Sequence, residues 1–117
     1  MTNQKPLFSG IMTALITPFN EDKSLDFKTL AKLINRQIGE GINGLVVCGS
    51  TGESLTLTLD EAVAITKFCV AEVKARVPVI VGVGHSSTAT SCLWQKTLGA
   101  LGVNATMAVA PAYNKPT

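Results

Sequence analysis

The sequence is poor in the residues that most often announce a function. Histidine, tryptophan and tyrosine occur once each in 117 residues, and aromatic residues make up only 5% of the chain. The three cysteines, Cys48, Cys69 and Cys92, are odd in number and nowhere form a C-x-x-C pair. That excludes a disulfide framework and a zinc-finger arrangement, and implies reduced core thiols. With a single histidine the sequence holds no metal-ligand cluster, so no metal is expected. Charge of one sign is never concentrated: ten basic against eight acidic residues leave a net +2 spread along the chain, which argues against a nucleic-acid partner.

Long hydrophobic runs are missing too. Stretches such as 77–81 fall far short of the roughly 20 residues a bilayer requires, so neither a membrane span nor a membrane partner is expected. The segment PLFSGIMTALITPF imitates the apolar part of a secretory signal, but Pro6 and Pro18 and the lack of a small-residue cleavage pattern speak against export. A cytoplasmic location is the resulting expectation. An apolar content of 46% with 15% charge excludes disorder, and the length suits one small domain or a piece of a larger one.

What is present is a regular alternation. Residues 11–17, IMTALIT, form a β-branched apolar run that stops at Pro18 and predicts a first strand followed by the polar loop FNEDKS. Asp26 then caps a helix in which Phe27, Leu30, Ala31, Ile34 and Ile38 make one buried stripe, ended by Gly39 and Gly41. Residues 44–48 predict a second strand, apolar on both faces as in a covered parallel sheet. Thr58 and Glu61 have the spacing of a capping box opening a second helix, whose Ala62, Ile65, Cys69 and Val73 share a face and which Val77-Pro78 should stop. A third strand over 77–83, a third helix capped by Ser87 or Thr88 and running to about Ala100 before Gly102, and a fourth strand over 105–109 complete βαβαβαβ.

Two architectures use this order, an open doubly wound sheet and a (β/α)8 barrel. In either, functional loops leave the carboxyl ends of the strands, here TPFNEDKS, GSTGESLT, GHSST and PAYNKPT, all rich in hydroxyls, amides or glycines. The opposite turns, such as GEGING, read as plain connectors. A barrel takes about 250 residues, and the sequence reaches Thr117 inside the fourth such loop. Residues 1–117 therefore read as the first half of something larger, and the alternation decides only weakly between the two architectures.

In GSTGES, Gly49 and Gly52 allow a tight turn that presents backbone N–H groups, and the Ser50 and Thr51 hydroxyls can donate to a small acid or relay a proton. The same residues also suit an ordinary strand-to-helix turn in which Glu53 and Ser54 satisfy loose backbone groups. No G-K-[ST] follows, which excludes a Walker loop. Gly82, Gly84 and Ser87 imitate only part of a dinucleotide fingerprint, and no acidic residue follows Glu72. His85 has the chemistry of a base or a ligand, although a lone loop histidine is more often neither. Tyr113 has a phenol that could relay a proton or serve as an aromatic wedge in a turn or subunit contact. Trp94 is assigned to packing.

Together, the opening G-x-x-T-A-x-x-T-P-F from Gly10 to Phe19, the GSTGES loop, GVGHSST and PAYNKPT, in that order and spacing, resemble the pyruvate-dependent class I aldolase family typified by dihydrodipicolinate synthase and N-acetylneuraminate lyase. The likeness runs from Gly10 to Thr117, and YNKP resembles the dihydrodipicolinate synthase branch. The resemblance implies an α/β fold, a (β/α)8 (TIM) barrel with a small C-terminal helical domain, with residues 1–117 as the N-terminal half of the barrel domain, a homo-oligomer built as a dimer of dimers, and condensation of pyruvate with aspartate semialdehyde in lysine and diaminopimelate biosynthesis. Pyruvate would be held as a Schiff base on a lysine, with no other cofactor. By position, Ser50 and Thr51 match the hydroxyls that hold the carboxylate, Gly49 and Gly52 match the loop glycines, and Tyr113 matches the tyrosine that completes a proton relay in the neighbouring subunit. Serine stands at 50 where threonine is usual, keeping the hydroxyl.

Two departures accompany the likeness. None of the eight lysines lies on a predicted strand, so the imine-forming lysine and the relay's second tyrosine are expected outside this segment, and the segment alone is expected to be inactive. Positions that match a lysine-feedback site in inhibited members are Leu59, Ala62, Ser86, Thr90 and Ala112, which offer no carboxylate to an ammonium ion. Insensitivity to lysine is expected. Rival readings are another aldolase of the family, acting on N-acetylneuraminate or a 2-keto-3-deoxy sugar acid, and a non-catalytic oligomerising module.

Overall fold

The computed structural model describes residues 6–110. Four strands alternate with three helices: β1 (Met12–Ala14), α1 (Phe27–Gly39), β2 (Gly44–Val47), α2 (Leu59–Val73), β3 (Val79–Gly82), α3 (Thr88–Gly99) and β4 (Ala105–Met107), with a short 3-10 turn over Ser54–Thr56. The strands form one parallel sheet in chain order β1-β2-β3-β4. Each crossover helix therefore returns the chain by one strand position, the pattern of consecutive right-handed βαβ units that curves towards a barrel. It does not reverse direction as a doubly wound sheet must.

Local chemistry accounts for the helices. The Asp26 carboxylate accepts the Thr29 N–H at 3.0 Å and its hydroxyl at 2.6 Å, starting α1. At α2 the capping box closes in both directions: Thr58 N–H donates to Glu61 Oε1 at 2.9 Å, and Glu61 N–H donates to Thr58 Oγ1 at 3.1 Å. Ser87 caps α3 through the Thr90 N–H at 3.3 Å. The end of α2 differs from the sequence expectation, because the helix stops at Val73 and not at Val77-Pro78. Lys74 and Ala75 take left-handed φ values of 52° and 57°, and Arg76 Nε donates to the freed Val73 carbonyl at 2.8 Å. The chain thus turns out of the helix before proline acts.

Packing follows the stripes. Leu30 and Ile34 of α1, Ala62, Ile65, Cys69 and Val73 of α2, and Trp94 and Leu98 of α3 are buried together with Leu45, Val47, Val79 and Val81 from one face of the sheet. Phe27 meets Phe68 at 4.9 Å between ring centroids, joining α1 to α2. Residues paired across a parallel ladder share a face, so the register line Ala14–Val46–Ile80–Ala105 lies on the other side of the sheet. Those side chains are apolar but less covered, with Val46, Ile80 and Ala105 half-buried and Ala14 exposed. In a closed barrel this face lines the interior. The strands are shorter than the apolar runs suggested, because regular pairing ends where the carboxyl-end loops begin.

Candidate functional site

The site grows from the carboxyl end of β2. Cys48 takes φ 53°, a left-handed value that costs a non-glycine residue of order 1 kcal/mol, and bends the chain out of the strand. Two backbone bonds then close the GSTGES turn on itself: Glu53 N–H donates to the Ser50 carbonyl at 3.0 Å and Ser54 N–H to the Gly49 carbonyl at 3.2 Å. Gly49 and Gly52 are buried while Ser50 and Thr51 project into solvent. Among the described residues, the backbone amides and hydroxyls of Ser50 and Thr51 have no hydrogen-bond partner within the chain. Free donors on a sharp turn form a concavity suited to an anion.

Of the two glycines, Gly52 is the one that needs the space. A methyl group on Gly52 would stand 3.1 Å from the Leu15 carbonyl oxygen, 3.2 Å from the Cys48 nitrogen and 3.2 Å from Thr17 Oγ1. One on Gly49 would make ordinary contacts, 3.6 Å from Val46 and 3.7 Å from Met107, both on the inner face. The turn therefore sits over the end of the inner face. Beside it opens a cavity of about 70 Å³ lined by Cys48, Gly49, Ser50, Ser54, Leu55, Gly82, Gly84, Met107 and Val109. Its size admits only a small molecule, well below the several hundred Å³ usual for larger ligands.

A larger cavity, about 220 Å³, lies near the amino ends of β3 and β4, with Leu7, Val70, Pro78 and Asn104 in its wall. The one charged group there, Arg76, is already engaged with Asn35 and with the carbonyls of Glu72 and Val73. Size and chemistry disagree at these two places, and the carboxyl-end cavity is the one with unpaired donors, on the side where β/α folds carry their sites.

The structure thus brings Gly49, Ser50, Thr51 and Gly52 into one turn, with Gly49 and Ser50 on the cavity wall. Tyr113 and Ala112 lie outside the described residues. His85 stands apart. Its backbone N–H donates to Ser91 Oγ at 2.9 Å, that hydroxyl donates back to the His85 carbonyl at 3.1 Å, and its ring rests on Trp94 at 4.0 Å. Its Nε2 is buried without a partner among the described residues, and the residue does not line the small cavity. Cys48 lines that cavity as an inert thiol: burial pushes it up to about 11, against which a hydrogen bond with Thr66 works only in part. Cys69 is pushed up to about 12, chiefly by burial. No lysine lies on β1 to β4; Lys28, Lys32, Lys67 and Lys96 are on the helices and Lys74 caps α2.

Sequence reasoning missed two participants. Thr17, within the quoted T-P-F motif, is buried and donates its hydroxyl to the Gly52 carbonyl at 2.6 Å. Gly82, read only against a dinucleotide pattern, is where β3 passes the end of β2 too closely for any side chain. The hydroxyl beside a proline was the only available signal for the first.

A parallel sheet in chain order, with its polar residues gathered at the carboxyl end, defines the first part of a (β/α)8 barrel. A family description of the dihydrodipicolinate synthetase family matches residues 7–117, and the chain belongs to that family. It is 48% identical over 112 residues to the 4-hydroxy-tetrahydrodipicolinate synthase of Rhodopseudomonas palustris, covering 96% of this chain and 38% of that protein. The solved dihydrodipicolinate synthase of Bacillus anthracis superposes with a TM-score of 0.88 at 46% identity, over 92% of this chain and 37% of that one. YagE of Escherichia coli, a prophage protein of the dihydrodipicolinic acid synthase family solved in complex with pyruvate, gives 0.89 at 32% identity, over 96% and 38%. The chain thus spans well under half the length of the relatives it matches. Among the described residues no helix is long and apolar enough to cross a membrane.

Proposed function

We propose that residues 1–117 are the N-terminal half of the catalytic barrel of a pyruvate-dependent class I aldolase, acting as a 4-hydroxy-tetrahydrodipicolinate synthase. The observation that carries this reading is the turn at 49–54, whose Ser50 and Thr51 donors have no partner among the described residues and whose Gly49 and Ser50 line a small cavity at the carboxyl end of the sheet. Those donors suit a carboxylate, and a 2-keto acid is small enough for the space.

In this mechanism the pyruvate carboxylate accepts from the loop amides and hydroxyls, which orients the keto carbon towards a lysine amine contributed from elsewhere in the barrel. The amine adds to that carbon and water leaves as the imine forms. Loss of a methyl proton then gives the enamine, whose terminal carbon bonds to the aldehyde carbon of aspartate semialdehyde. Ser50 and Tyr113, the latter from a neighbouring subunit of a homo-oligomer, carry protons to and from these oxygens. No cofactor beyond the lysine is invoked. Residues 1–117 by themselves would not form the imine, since β1 to β4 carry no lysine that burial could turn into a nucleophile.

The reading extends to regulation. Of the positions matching a lysine-feedback site, Ala62 is fully buried in the core and Thr90 brings no charge, so the protein should ignore free lysine. The rival reading is another aldolase of the family with a different second substrate: YagE, at 32% identity, is a prophage member of the family solved in complex with pyruvate, so pyruvate is the partner the two readings share.

The test is borohydride reduction of the full-length polypeptide with pyruvate, followed by mass measurement, and turnover with aspartate semialdehyde against N-acetylneuraminate. A trapped pyruvate adduct with consumption of aspartate semialdehyde supports the reading. Turnover of N-acetylneuraminate would move it to the lyase branch, and absence of any adduct would end it in favour of a non-catalytic module.

A further inference from the structure

We propose that Thr17 is the positioning residue of the hydroxyl turn, clamping it to the segment just after β1 so that Ser50 stays on the cavity wall with Thr51 beside it. The bonds inside the turn, Glu53 N–H to Ser50 O and Ser54 N–H to Gly49 O, give it shape but fix it to nothing else. Among the described residues, the one hydrogen bond from residues 49–54 to a neighbouring strand end is Thr17 Oγ1–H to the Gly52 carbonyl, at 2.6 Å. Donor and acceptor are both buried, so water does not replace the bond when it is lost.

The anchor itself is held from both sides. Leu15 N–H donates to the Val46 carbonyl at 2.9 Å, extending the β1-β2 pairing by one residue, and the Pro18 carbonyl accepts the Asp26 N–H at 3.0 Å at the start of α1. Thr17 is therefore placed by the sheet on one side and by a helix cap on the other. Gly52 fits against it because it has no side chain: a methyl there would stand 3.2 Å from Thr17 Oγ1 and 3.1 Å from the Leu15 carbonyl oxygen. The position of Ser50 and Thr51 thus depends on a residue 35 positions away in sequence from Gly52 that does not line the cavity. This inference deepens the anion-binding reading above and rests on it for its functional meaning.

The experiment compares Thr17→Val, Thr17→Ser and, as a control, Thr13→Val. Thr13 lies on β1, just before the segment that carries Thr17, and donates to Gln37 Oε1 at 2.7 Å, so its valine variant also loses one side-chain bond but leaves the turn alone. Amide hydrogen exchange at Glu53 and Ser54 is measured without ligand, and pyruvate affinity is measured separately. Thr17→Val should speed exchange at both amides and weaken pyruvate binding, each on the order of tenfold, the worth of one buried hydrogen bond. Thr17→Ser should restore both, and Thr13→Val should change neither beyond any general loss of stability. Unaltered exchange in Thr17→Val, or equal acceleration in Thr13→Val, would overturn the clamp. If the unmodified protein fails to bind pyruvate, the functional reading falls while the exchange result still decides the clamp.

Discussion

Gly82 on β3 lies so close to the end of β2 that a methyl group on it would overlap the carbonyl oxygen of Cys48 and stand 2.9 Å from its carbonyl carbon. The next residue, Gly49, begins the hydroxyl turn, and its Cα would be 3.2 Å from the same methyl. Two strand ends thus pass at backbone contact, and the small cavity opens beside them.

Gly82→Ala should therefore displace backbone. Overpacking of this kind costs about 1–3 kcal/mol, read as a lower midpoint of urea unfolding, and the shift of Cys48 and Gly49 should weaken pyruvate binding as well. Gly39 offers the contrast, since a methyl there meets nothing within 4 Å and the residue closes α1 with ordinary φ. Gly39→Ala should raise stability, by up to about 0.5–1 kcal/mol from helix propensity. Equal effects from the two substitutions would mean that the close approach of β2 and β3 is wrong.

Ser50 should be replaceable by threonine and not by alanine. Ser50→Thr keeps a hydroxyl at the cavity mouth, whereas Ser50→Ala removes one hydrogen bond to a charged oxygen. Such bonds are worth about 1.5–3 kcal/mol, or roughly 10- to 100-fold in affinity. Calorimetric titration of pyruvate into the three proteins checks this, and an alanine variant that binds as tightly as the parent would remove Ser50 from the site.

The cap of α1 should make stability pH-dependent in acid. Asp26 is lowered from its ordinary 3.8 first by the Thr29 hydroxyl and then by the Thr29 backbone N–H. A depressed carboxyl contributes stability that is fully present above the unfolded value and is lost as pH falls through the folded one. The unfolding midpoint of the parent should thus exceed that of Asp26→Leu near neutrality, and the gap should narrow as pH drops below 3.8. A gap that widened in acid would contradict the capping role.

The cysteines should separate cleanly. Cys92 is exposed on α3 while Cys48 and Cys69 are buried, with their thiols pushed up to about 11 and about 12. Iodoacetamide near pH 8 should label the folded chain only at Cys92 and the unfolded chain at all three. Labelling of Cys48 in the folded protein would show that the end of β2 opens.

Much of this was legible in one dimension because the signals are local. Caps act within three residues, so Asp26 and Thr58 with Glu61 could be named from spacing and the third cap narrowed to Ser87 or Thr88, of which Ser87 is the one used; the stripes of α1 and α2 reappear as buried faces because helical periodicity holds wherever a helix forms. The turn at 49–54 could be found as a cluster of small and hydroxyl residues after an apolar strand. Its alternatives, a ligand cradle or a plain turn, could not be separated, since the difference lies in whether its donors find partners. The end of α2 was misplaced because left-handed Lys74 and Ala75 have no glycine to mark them.

The order of strands and helices, the caps and the family were determined by the sequence alone, because each depends on residues a few positions apart or on motifs that keep their spacing. Only the tertiary structure decided that the sheet runs in chain order, that Thr17 holds Gly52, that Gly82 makes way for Cys48, and that His85 packs on Trp94 away from the cavity. Those relationships join residues distant along the chain. Their energies depend on burial and approach distance, which no short stretch of sequence carries.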